Sequence, residues 1–285
     1  MSKGPTFFLF ANPYKPDTVA TSAVLARLLF KQGARVLMST WLHERVQVGE
    51  PCALEQLPQT TTAVVSLGGD GTLLRTISHA AARGIPVLGI HMGHVGFLLE
   101  VTPDDLEHTV KRLMTGDYRI EERMMLCCRV NDDEDMLVMN DVALTRGQSP
   151  SSIEVKAYAD GETIFFSRGD GLLVATPTGT TGYALSAGGP VVYPLMSCLV
   201  LVSICSHILT QRPIVMPEDK NVLLTAHAHP EQPCQIIMDG QVVLNRTGEV
   251  RVQIRKADVK ARFIRFSEQQ FLTRLRQKQA EWNEI

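Results

Sequence analysis

The sequence predicts two folded domains of the α/β + β class, an N-terminal α/β domain followed by a mainly β domain. Up to Tyr118, short apolar runs alternate with stretches of helical spacing, which is typical of a parallel sheet covered by helices. After Tyr118 the runs are almost all strand-like and are separated by turn residues. The 285 residues are 45% hydrophobic and 20% charged, enough to bury a sizeable core. We expect an α/β domain at 1–118, a β-rich domain at 119–266 and a C-terminal helix within 267–285 that packs on one of them.

The elements of the first domain follow from local patterns. A short apolar run leads into a stretch with helical spacing that ends at Gly33, where a helix would stop. Thr102 precedes a proline and two aspartates, an arrangement typical of a helix start. In chain order the pattern predicts strands at 6–11, 35–39, 63–67 and 86–90, and helices at 17–33, 72–83 and 102–116.

The second domain is predicted from runs rich in Val, Ile, Leu and Phe. Turn signals separate these runs, and the sequence Asp239-Gly240 favours a type I′ hairpin turn. From Ser267 onward the pattern of charges and leucines predicts a terminal helix. The predicted strands are 119–130, 136–145, 153–159, 162–167, 172–175, 199–204, 221–226, 234–238, 241–245 and 249–266.

Charge and cysteine usage exclude several classes of protein. The formal net charge is -2 and no run of Lys and Arg occurs, so we expect neither nucleic acid nor a membrane as a partner. No segment has the roughly 20 apolar residues that a membrane-spanning helix needs. The six cysteines form no Cys-x-x-Cys pair, which favours a reduced, cytoplasmic protein without a cysteine metal site.

The first segment that could carry chemistry is Gly68-Gly69-Asp70-Gly71-Thr72. An apolar strand that ends in glycines and restarts as a helix can direct backbone N–H groups at a phosphate. Asp70 would then lie at the carboxyl edge of the sheet, where open α/β sheets bind ligands. The spacing matches neither the dinucleotide fingerprint nor the P-loop. The alternative is a plain glycine-rich turn in which Asp70 caps the helix.

Two further segments carry polar residues that could bind a ligand. A strand at 172–175 opens into a run of small hydroxyl residues and glycines that includes Tyr183, suited to ribose, phosphate and base. The alternative is a plain loop of this composition. Met139-Asn140-Asp141-Val142 places two polar residues within a strand-like run, which indicates a bulge or a strand end, or else an edge position that faces water.

Together and in this order, the three segments resemble the NAD kinase family. Its signatures are a Gly-Gly-Asp-Gly loop, an Asn-acid pair and a Thr-Pro-Thr-Gly-Ser/Thr-Thr-x-Tyr loop, and the similarity covers nearly the whole chain. The loop alone is shared with lipid kinases and phosphofructokinases, and the long hydroxyl-rich segment makes the match specific. The resemblance implies a Rossmann-like first domain, NAD and ATP as substrates with a divalent cation such as Mg²⁺, and a homo-oligomer (dimer or tetramer).

The resemblance also implies roles for particular residues. Asp70 would be the catalytic acidic residue whose carboxylate takes the proton from the ribose 2′-hydroxyl, and Asn140 with Asp141 would hold the adenosine. We expect the ATP triphosphate over the loop formed by Gly68, Gly69, Gly71 and Thr72. The implied NAD-binding residues are Asp70, Gly71, Arg75, Asn140, Asp141, Arg168, Asp170, Thr181, Gly182, Tyr183, Ser186, His207 and Gln241. The rival functions are a lipid kinase that uses the same loop and a non-catalytic NAD(P)-binding sensor.

Overall fold

The computed structural model describes residues 4–15, 17–93, 96–268 and 271–283, which divide into two compact units. Unit 1 comprises the residues up to Glu122 and those from Ala261 onward, and unit 2 comprises Arg123–Lys260. The predicted boundaries are 118 and 266; the first unit instead extends to Glu122, and residues 261–266 also count with unit 1 rather than with the β-rich unit. The reason is strand pairing, because Phe263 pairs with Val87 of unit 1. Of the predicted segments, residues 1–3, 16, 94–95, 269–270 and 284–285 lie outside the described residues.

Unit 1 contains the parallel sheet that the alternating pattern predicts. Its elements are β1 (Thr6–Ala11), α1 (Thr18–Lys31), β2 (Arg35–Met38), α2 (Thr40–Val46), β3 (Glu50–Pro51), β4 (Ala63–Gly68), α3 (Asp70–Ala81), β5 (Val87–His91), α4 (Leu106–Thr115) and the start of β6 (Arg119–Val130). The sheet order is β5-β4-β1-β2-β3, and every pair is parallel. Every residue of β4 is buried, as expected for a strand covered on both faces.

Two elements of unit 1 were not predicted, α2 and β3. Helix α2 has seven residues and only Leu42 and Val46 buried, and β3 has two exposed residues. Elements this short have no readable hydrophobic period, so tertiary contacts decide whether they form. The predicted helix at 72–83 begins two residues earlier, at Asp70, because Gly69 already adopts the extended conformation of an N-cap.

Unit 2 is mainly β, as predicted. Its elements are the rest of β6, β7 (Met136–Val138), β8 (Asp141–Thr145), β9 (Ile153–Ala159), β10 (Glu162–Gly169), β11 (Gly171–Ala175), α5 (Tyr183–Ser186), β12 (Cys198–Ile204), β13 (Ile214–Pro217), β14 (Val222–Ala228), β15 (Cys234–Met238), β16 (Gln241–Arg246) and most of β17 (Gly248–Arg265). An antiparallel six-stranded sheet has the order β13-β12-β11-β8-β15-β16. Strands β10, β9, β14 and β17 form a second antiparallel set, and β7 pairs with β6.

The two strand sets of unit 2 share one hydrophobic core. Val142 and Val174 of the six-stranded sheet belong to the same buried cluster as Leu224 and Val252 of the other set. Alternate residues of β9 and β14 point into this core, which explains their period of two. The run predicted as one strand at 136–145 is two strands, broken at Met139 and Asn140. Strand β13, at the edge of its sheet, was not predicted because it is short and ends in Pro217.

The end of the chain closes unit 1 through a buried ionic cluster. Arg265 donates to the Leu98 carbonyl (2.9 Å) and pairs with Glu121 and Glu100 at 3.2 and 3.3 Å. Helix α6 (Phe271–Asn283) follows and brings Arg274 to the Leu99 carbonyl (2.6 Å) and to Glu100 (3.4 Å). The predicted terminal helix therefore exists, and it packs on unit 1. In the part of the chain that the structure describes, no helix is long and apolar enough to cross a membrane.

Removing the Arg265 guanidinium should destabilise unit 1 strongly. Arg265→Met leaves the buried carboxylates of Glu100 and Glu121 short of a cation, so we expect the free energy of unfolding to fall by about 3–5 kcal/mol. Arg35→Met is the matched control, because its ion pair with Glu50 is exposed and should contribute less than about 1 kcal/mol. Denaturant titration measures both, and equal losses would contradict the cluster's structural role.

Candidate active site

The glycine loop joins β4 to α3 at the carboxyl edge of the unit 1 sheet. A methyl group on Gly68 would overlap the Thr72 side chain, so the turn requires glycine there. The buried Thr72 hydroxyl accepts hydrogen bonds from the Asn12 side-chain amide (3.2 Å) and the Gly69 N–H (3.4 Å). Thr72 therefore supports the loop from within. The first-turn amides of Asp70 and Gly71 have no acceptor inside the helix and can bind an anion.

The Asp70 side chain does not cap its own helix. Its Oδ2 accepts the Phe97 N–H at 2.8 Å and its Oδ1 accepts the Leu98 N–H at 3.2 Å. Gly96 permits this approach, because a methyl group there would overlap the carboxylate. The alternative role of Asp70 as a helix cap is thus not the one the structure shows.

The environment of Asp70 strengthens it as a proton acceptor. Burial raises the pKa of its carboxyl above the ordinary value, although the Phe97 and Leu98 amides and the charges of Arg274 and Lys278 oppose that rise. A carboxylate with a raised pKa accepts a proton more readily than a solvated one. Arg75, one turn further along α3, is exposed, and its guanidinium carbon lies 5.3 Å from the centre of the Phe10 ring.

In unit 2, the Asn-Asp pair lies where β7 ends and β8 begins. The Asp239 carboxylate accepts the N–H groups of Met139 (3.0 Å) and Asn140 (2.6 Å). The Asp239 N–H in turn donates to the Asp141 carbonyl at 3.1 Å. Asp239 and Gly240 both have positive φ, at 51° and 75°, as the predicted type I′ turn requires. The turn thus also fixes the backbone of the pair.

Asp141 is an unusual carboxylate because it is almost fully buried. Burial and then the neighbouring Asp239 charge raise its pKa to about 7, against the opposing effect of the Tyr183 N–H. Asn140 Oδ1 and Asp141 Oδ1 are buried and have no hydrogen-bond partner among the described residues. Buried polar atoms without partners are uncommon in native structures, so these two oxygens are candidate ligand contacts.

The hydroxyl-rich segment folds against this pair. Thr176 donates through its hydroxyl to the Met139 carbonyl (2.8 Å) and through its N–H to the Asn140 carbonyl (2.8 Å). A 3-10 turn at Gly179–Thr181 then leads into α5. A methyl group on Gly182 would lie 3.5 Å from Asn140 Nδ2 and 3.6 Å from Asp141 Oδ2. The structure therefore brings together Asn140, Asp141, Gly182 and Tyr183, with Thr181 and Ser186 at the ends of the same short segment.

A second group of predicted residues lies around Asp170. Its carboxylate pairs with Arg146 at 2.6 Å, and this hydrogen bond is the main reason why the Asp170 pKa lies below its ordinary value. The His207 N–H donates to the Arg168 carbonyl at 2.8 Å. Burial raises the pKa of the Tyr183 hydroxyl, and the nearby charges of Asp170 and Asp141 add to that rise.

Gln241 is exposed at the first position of β16, two residues after Asp239. Sequence reasoning missed Asp239 and Arg146 as residues that position the site. The sequence carried a signal for the first, since an aspartate in a hairpin turn has a carboxylate that can bind nearby amides. It carried none for Arg146. Among the residues described, no three His, Cys, Asp or Glu side chains form a cluster that could hold a metal ion.

Comparison with known proteins gives matches over both units. A family model described as the ATP-NAD kinase N-terminal domain matches residues 7–118, and one described as the ATP-NAD kinase C-terminal domain matches 139–266. A curated relative, the NAD kinase of Heliobacterium modesticaldum, is 39% identical over 282 residues, covering 96% of this chain and 98% of its own.

Two solved structures have the same fold. The NADH kinase of yeast, in complex with NADH, superposes with a TM-score of 0.84 at 22% identity, covering 96% of this chain and 86% of its own. An NAD kinase from Archaeoglobus fulgidus, in complex with ATP, gives a TM-score of 0.77 at 26% identity, covering 96% and 98%. The predicted fold class, α/β followed by mainly β, is confirmed.

The buried Asp141 should make the protein less stable as the pH rises. The folded protein keeps a proton on Asp141 up to about pH 7, whereas an unfolded chain releases it near pH 4, so stability falls as the pH rises through that window. We expect Asp141→Asn to be more stable than the wild type at pH 8 and the difference to shrink towards pH 4. The measurement is denaturant unfolding across this range.

Asp160 is the control of opposite sign. The hydrogen bond from Lys220 lowers the pKa of the Asp160 carboxyl. Its contribution to the free energy of unfolding is therefore present at pH 8 and disappears as the pH falls. Asp160→Asn should therefore lose a little stability at pH 8 and none at low pH. If the two variants shifted in the same direction, the account of Asp141 would be wrong.

Proposed function

The chain belongs to the NAD kinase family, and from that premise we propose that it transfers the γ-phosphoryl group of ATP to the 2′-hydroxyl of the adenosine ribose of NAD. The observation that carries the proposal is the Asp70 carboxylate, held by two amides beside the N-terminus of α3. That arrangement supports the proposal because it combines a carboxylate that can accept a proton with nearby amides that can bind a phosphate.

For this reaction the protein supplies a general base and positions the substrates, and it forms no covalent bond with them. The ribose 2′-oxygen attacks the γ-phosphorus, the bond from that phosphorus to the β,γ-bridging oxygen breaks, and ADP leaves with the electron pair. Asp70 takes the proton from the 2′-hydroxyl as its oxygen becomes bonded to phosphorus. Burial supports this role because it raises the pKa of Asp70 above that of a solvated aspartate.

The glycine loop is the proposed site for the triphosphate. The free amides of Asp70 and Gly71 and the positive end of the α3 dipole favour anionic oxygens at that point. Gly69 leaves the backbone at the start of the helix accessible, and Gly68 makes room for the Thr72 side chain that supports the loop. Mg²⁺ enters with ATP as part of the substrate, held by phosphate oxygens, which is a common binding mode for this ion.

The unit 2 pair is the proposed site for the adenosine of NAD. The unpartnered oxygens of Asn140 and Asp141 can accept hydrogen bonds from base or ribose, and the ring of Tyr183 can cover the base. The remaining proposed dinucleotide contacts are Arg75, Arg168, Asp170, Thr181, Gly182, Ser186, His207 and Gln241.

One assay separates this function from its rivals. Incubation with ATP, Mg²⁺ and NAD should give NADP. A lipid kinase would instead phosphorylate diacylglycerol or sphingoid bases, and a sensor would bind NAD or NADP without turnover. The family models and the curated relative favour neither rival.

We also propose a compartment and an oligomeric state for the protein. All six cysteines are free thiols, which supports a reducing compartment, and we propose the cytoplasm. A homo-oligomer is supported by the exposed apolar side chains of Val191, Tyr193, Leu195 and Met196 in one short segment of unit 2. Light scattering after size exclusion measures the subunit number.

Asp70→Asn should abolish most turnover while NAD still binds. The amide keeps the size of the side chain but cannot accept the proton, and loss of a general base costs about 10²- to 10⁴-fold in kcat. Wild-type kcat should fall as the pH drops through the raised pKa of Asp70, and the variant should lack that acid limb. NADP formation and NAD titration calorimetry measure the two effects. Near-normal kcat would exclude Asp70 as the base.

Gly96→Ala should displace the Asp70 carboxylate while leaving the Asp70 side chain itself unchanged. The added methyl overlaps the Asp70 carboxylate and forces it off the Phe97 and Leu98 amides. We expect kcat to fall by about 10²-fold, as for a displaced catalytic group, while circular dichroism stays unchanged. Gly161→Ala, in a surface turn of unit 2, meets no neighbouring atom but strains a backbone with a φ of 88°, so it controls for a general loss of stability that leaves the Asp70 carboxylate in place. Full activity in Gly96→Ala would contradict the role given to this contact.

A further inference from the structure

Lys15 lies in the turn that follows β1, and this turn is fixed to the glycine loop. The Asn12 N–H donates to the Leu67 carbonyl at 3.0 Å, and the Asn12 side chain donates to Thr72. The Thr18 hydroxyl bonds the carbonyls of Asn12 and Lys15 at 2.9 and 3.0 Å. Because β1 and β4 are parallel neighbours, the turn and the glycine loop lie at the same edge of the sheet.

The Lys15 ammonium reaches across this edge. Its Nζ donates to the Met92 carbonyl at 2.8 Å, beyond the end of β5. Methyl groups built on Gly69 and Gly93 would lie 3.8 and 3.6 Å from Nζ. The ammonium is therefore close to the ends of three successive strands of the sheet and to the N-cap of α3.

The Lys15 ammonium has a backbone carbonyl as its hydrogen-bond partner and lies beside the N-terminus of a helix. The N-terminus of α3 carries a positive partial charge, and a cation beside it is repelled. The ion pairs formed by the described residues do not include Lys15, and the cations that act on the Asp70 carboxylate are those of Arg274 and Lys278. A flexible lysine could extend into water, yet the Met92 carbonyl holds it here.

We infer that Lys15 binds the triphosphate of ATP at the glycine loop and neutralises the oxygens of the transferred phosphoryl group. The inference rests on the proposed function, since it adds a cation to the phosphate site proposed there. The pyrophosphate of NAD offers the same chemistry. The triphosphate is favoured because Lys15 is close to Gly69 and the α3 N-terminus, where the transferring phosphate is placed.

The test uses three variants of the full-length protein. Lys15→Met removes the charge and keeps most of the apolar stem, Lys15→Arg restores the charge, and Lys31→Met removes a lysine from the exposed last turn of α1 as a control. Steady-state assays give kcat and KM for ATP and for NAD separately. Calorimetry gives the Kd of a non-hydrolysable ATP analogue with Mg²⁺ and that of NAD.

For Lys15→Met we expect kcat/KM for ATP and the affinity for the analogue to fall by about 10- to 100-fold, the effect of one lost charge-assisted hydrogen bond. The KM and Kd for NAD should stay unchanged. Lys15→Arg should recover most of the loss, and Lys31→Met should match the wild type. A purely structural lysine would instead lower the melting temperature and impair both substrates alike.

Three results would overturn the inference. They are unchanged ATP kinetics and analogue binding in Lys15→Met, a loss confined to NAD, or a loss that Lys15→Arg fails to reduce. If Lys15→Met did not fold, Lys15→Gln, which keeps a donor for the Met92 carbonyl without the charge, would decide by the same analogue titration. A wild-type protein that bound the analogue but made no NADP would refute the proposed function and leave the Lys15 titration valid.

Discussion

The position of Asp70 depends on two arginines that hold the backbone of the segment opposite it. Phe97 and Leu98 give their N–H groups to the Asp70 carboxylate, and their carbonyls accept from Arg274 and Arg265 at 3.2 and 2.9 Å. Both arginines also contact the buried Glu100, so their guanidinium groups are held by charge as well as by hydrogen bonds. The last strand and helix of the chain thus determine where a side chain near its start can point.

In unit 2 side chains also hold the backbone beside the site, but here the charged side chain is a carboxylate that binds N–H groups instead of an arginine that binds carbonyls. A carboxylate, Asp239, binds the backbone N–H groups at the break between β7 and β8, and Thr176 binds the carbonyls of Met139 and Asn140 there. These contacts satisfy the main chain of an interrupted strand, which would otherwise leave buried polar groups unpaired. The side-chain atoms Asn140 Oδ1 and Asp141 Oδ1 take no part in this support, and both are buried without a hydrogen-bond partner among the described residues.

Much of this molecule could be predicted from local sequence. Strands β1, β6, β9 and β15 have the predicted bounds, and the Asp239-Gly240 turn has the predicted conformation, because a strong apolar period or a glycine fixes each locally. For the polar pair at Asn140 the sequence left two alternatives, a bulge or strand end and an edge position that faces water, and the structure shows a break between two strands. The sequence could not predict that Asp239 holds that break, or that Gly96 faces Asp70, since those contacts join residues 99 and 26 positions apart through the tertiary fold. Short elements such as α2 and β3 were missed for the same reason.

The Asp70 carboxylate binds the amides of Phe97 and Leu98 instead of those of its own helix. This allows the carboxylate to accept a proton while the helix amides bind an anion, two roles that would conflict in an isolated helix. An aspartate in the first turn of a helix ordinarily binds the amides of its own helix end, and its negative charge would then repel a phosphate from them. Here Phe97 and Leu98 take the carboxylate instead, so the amides of Asp70 and Gly71 and the helix dipole stay available to an anion. Because the carboxylate is also withdrawn from water, its raised pKa favours proton acceptance. Gly96, which allows the approach, is therefore as much a part of the site as the glycines of the loop.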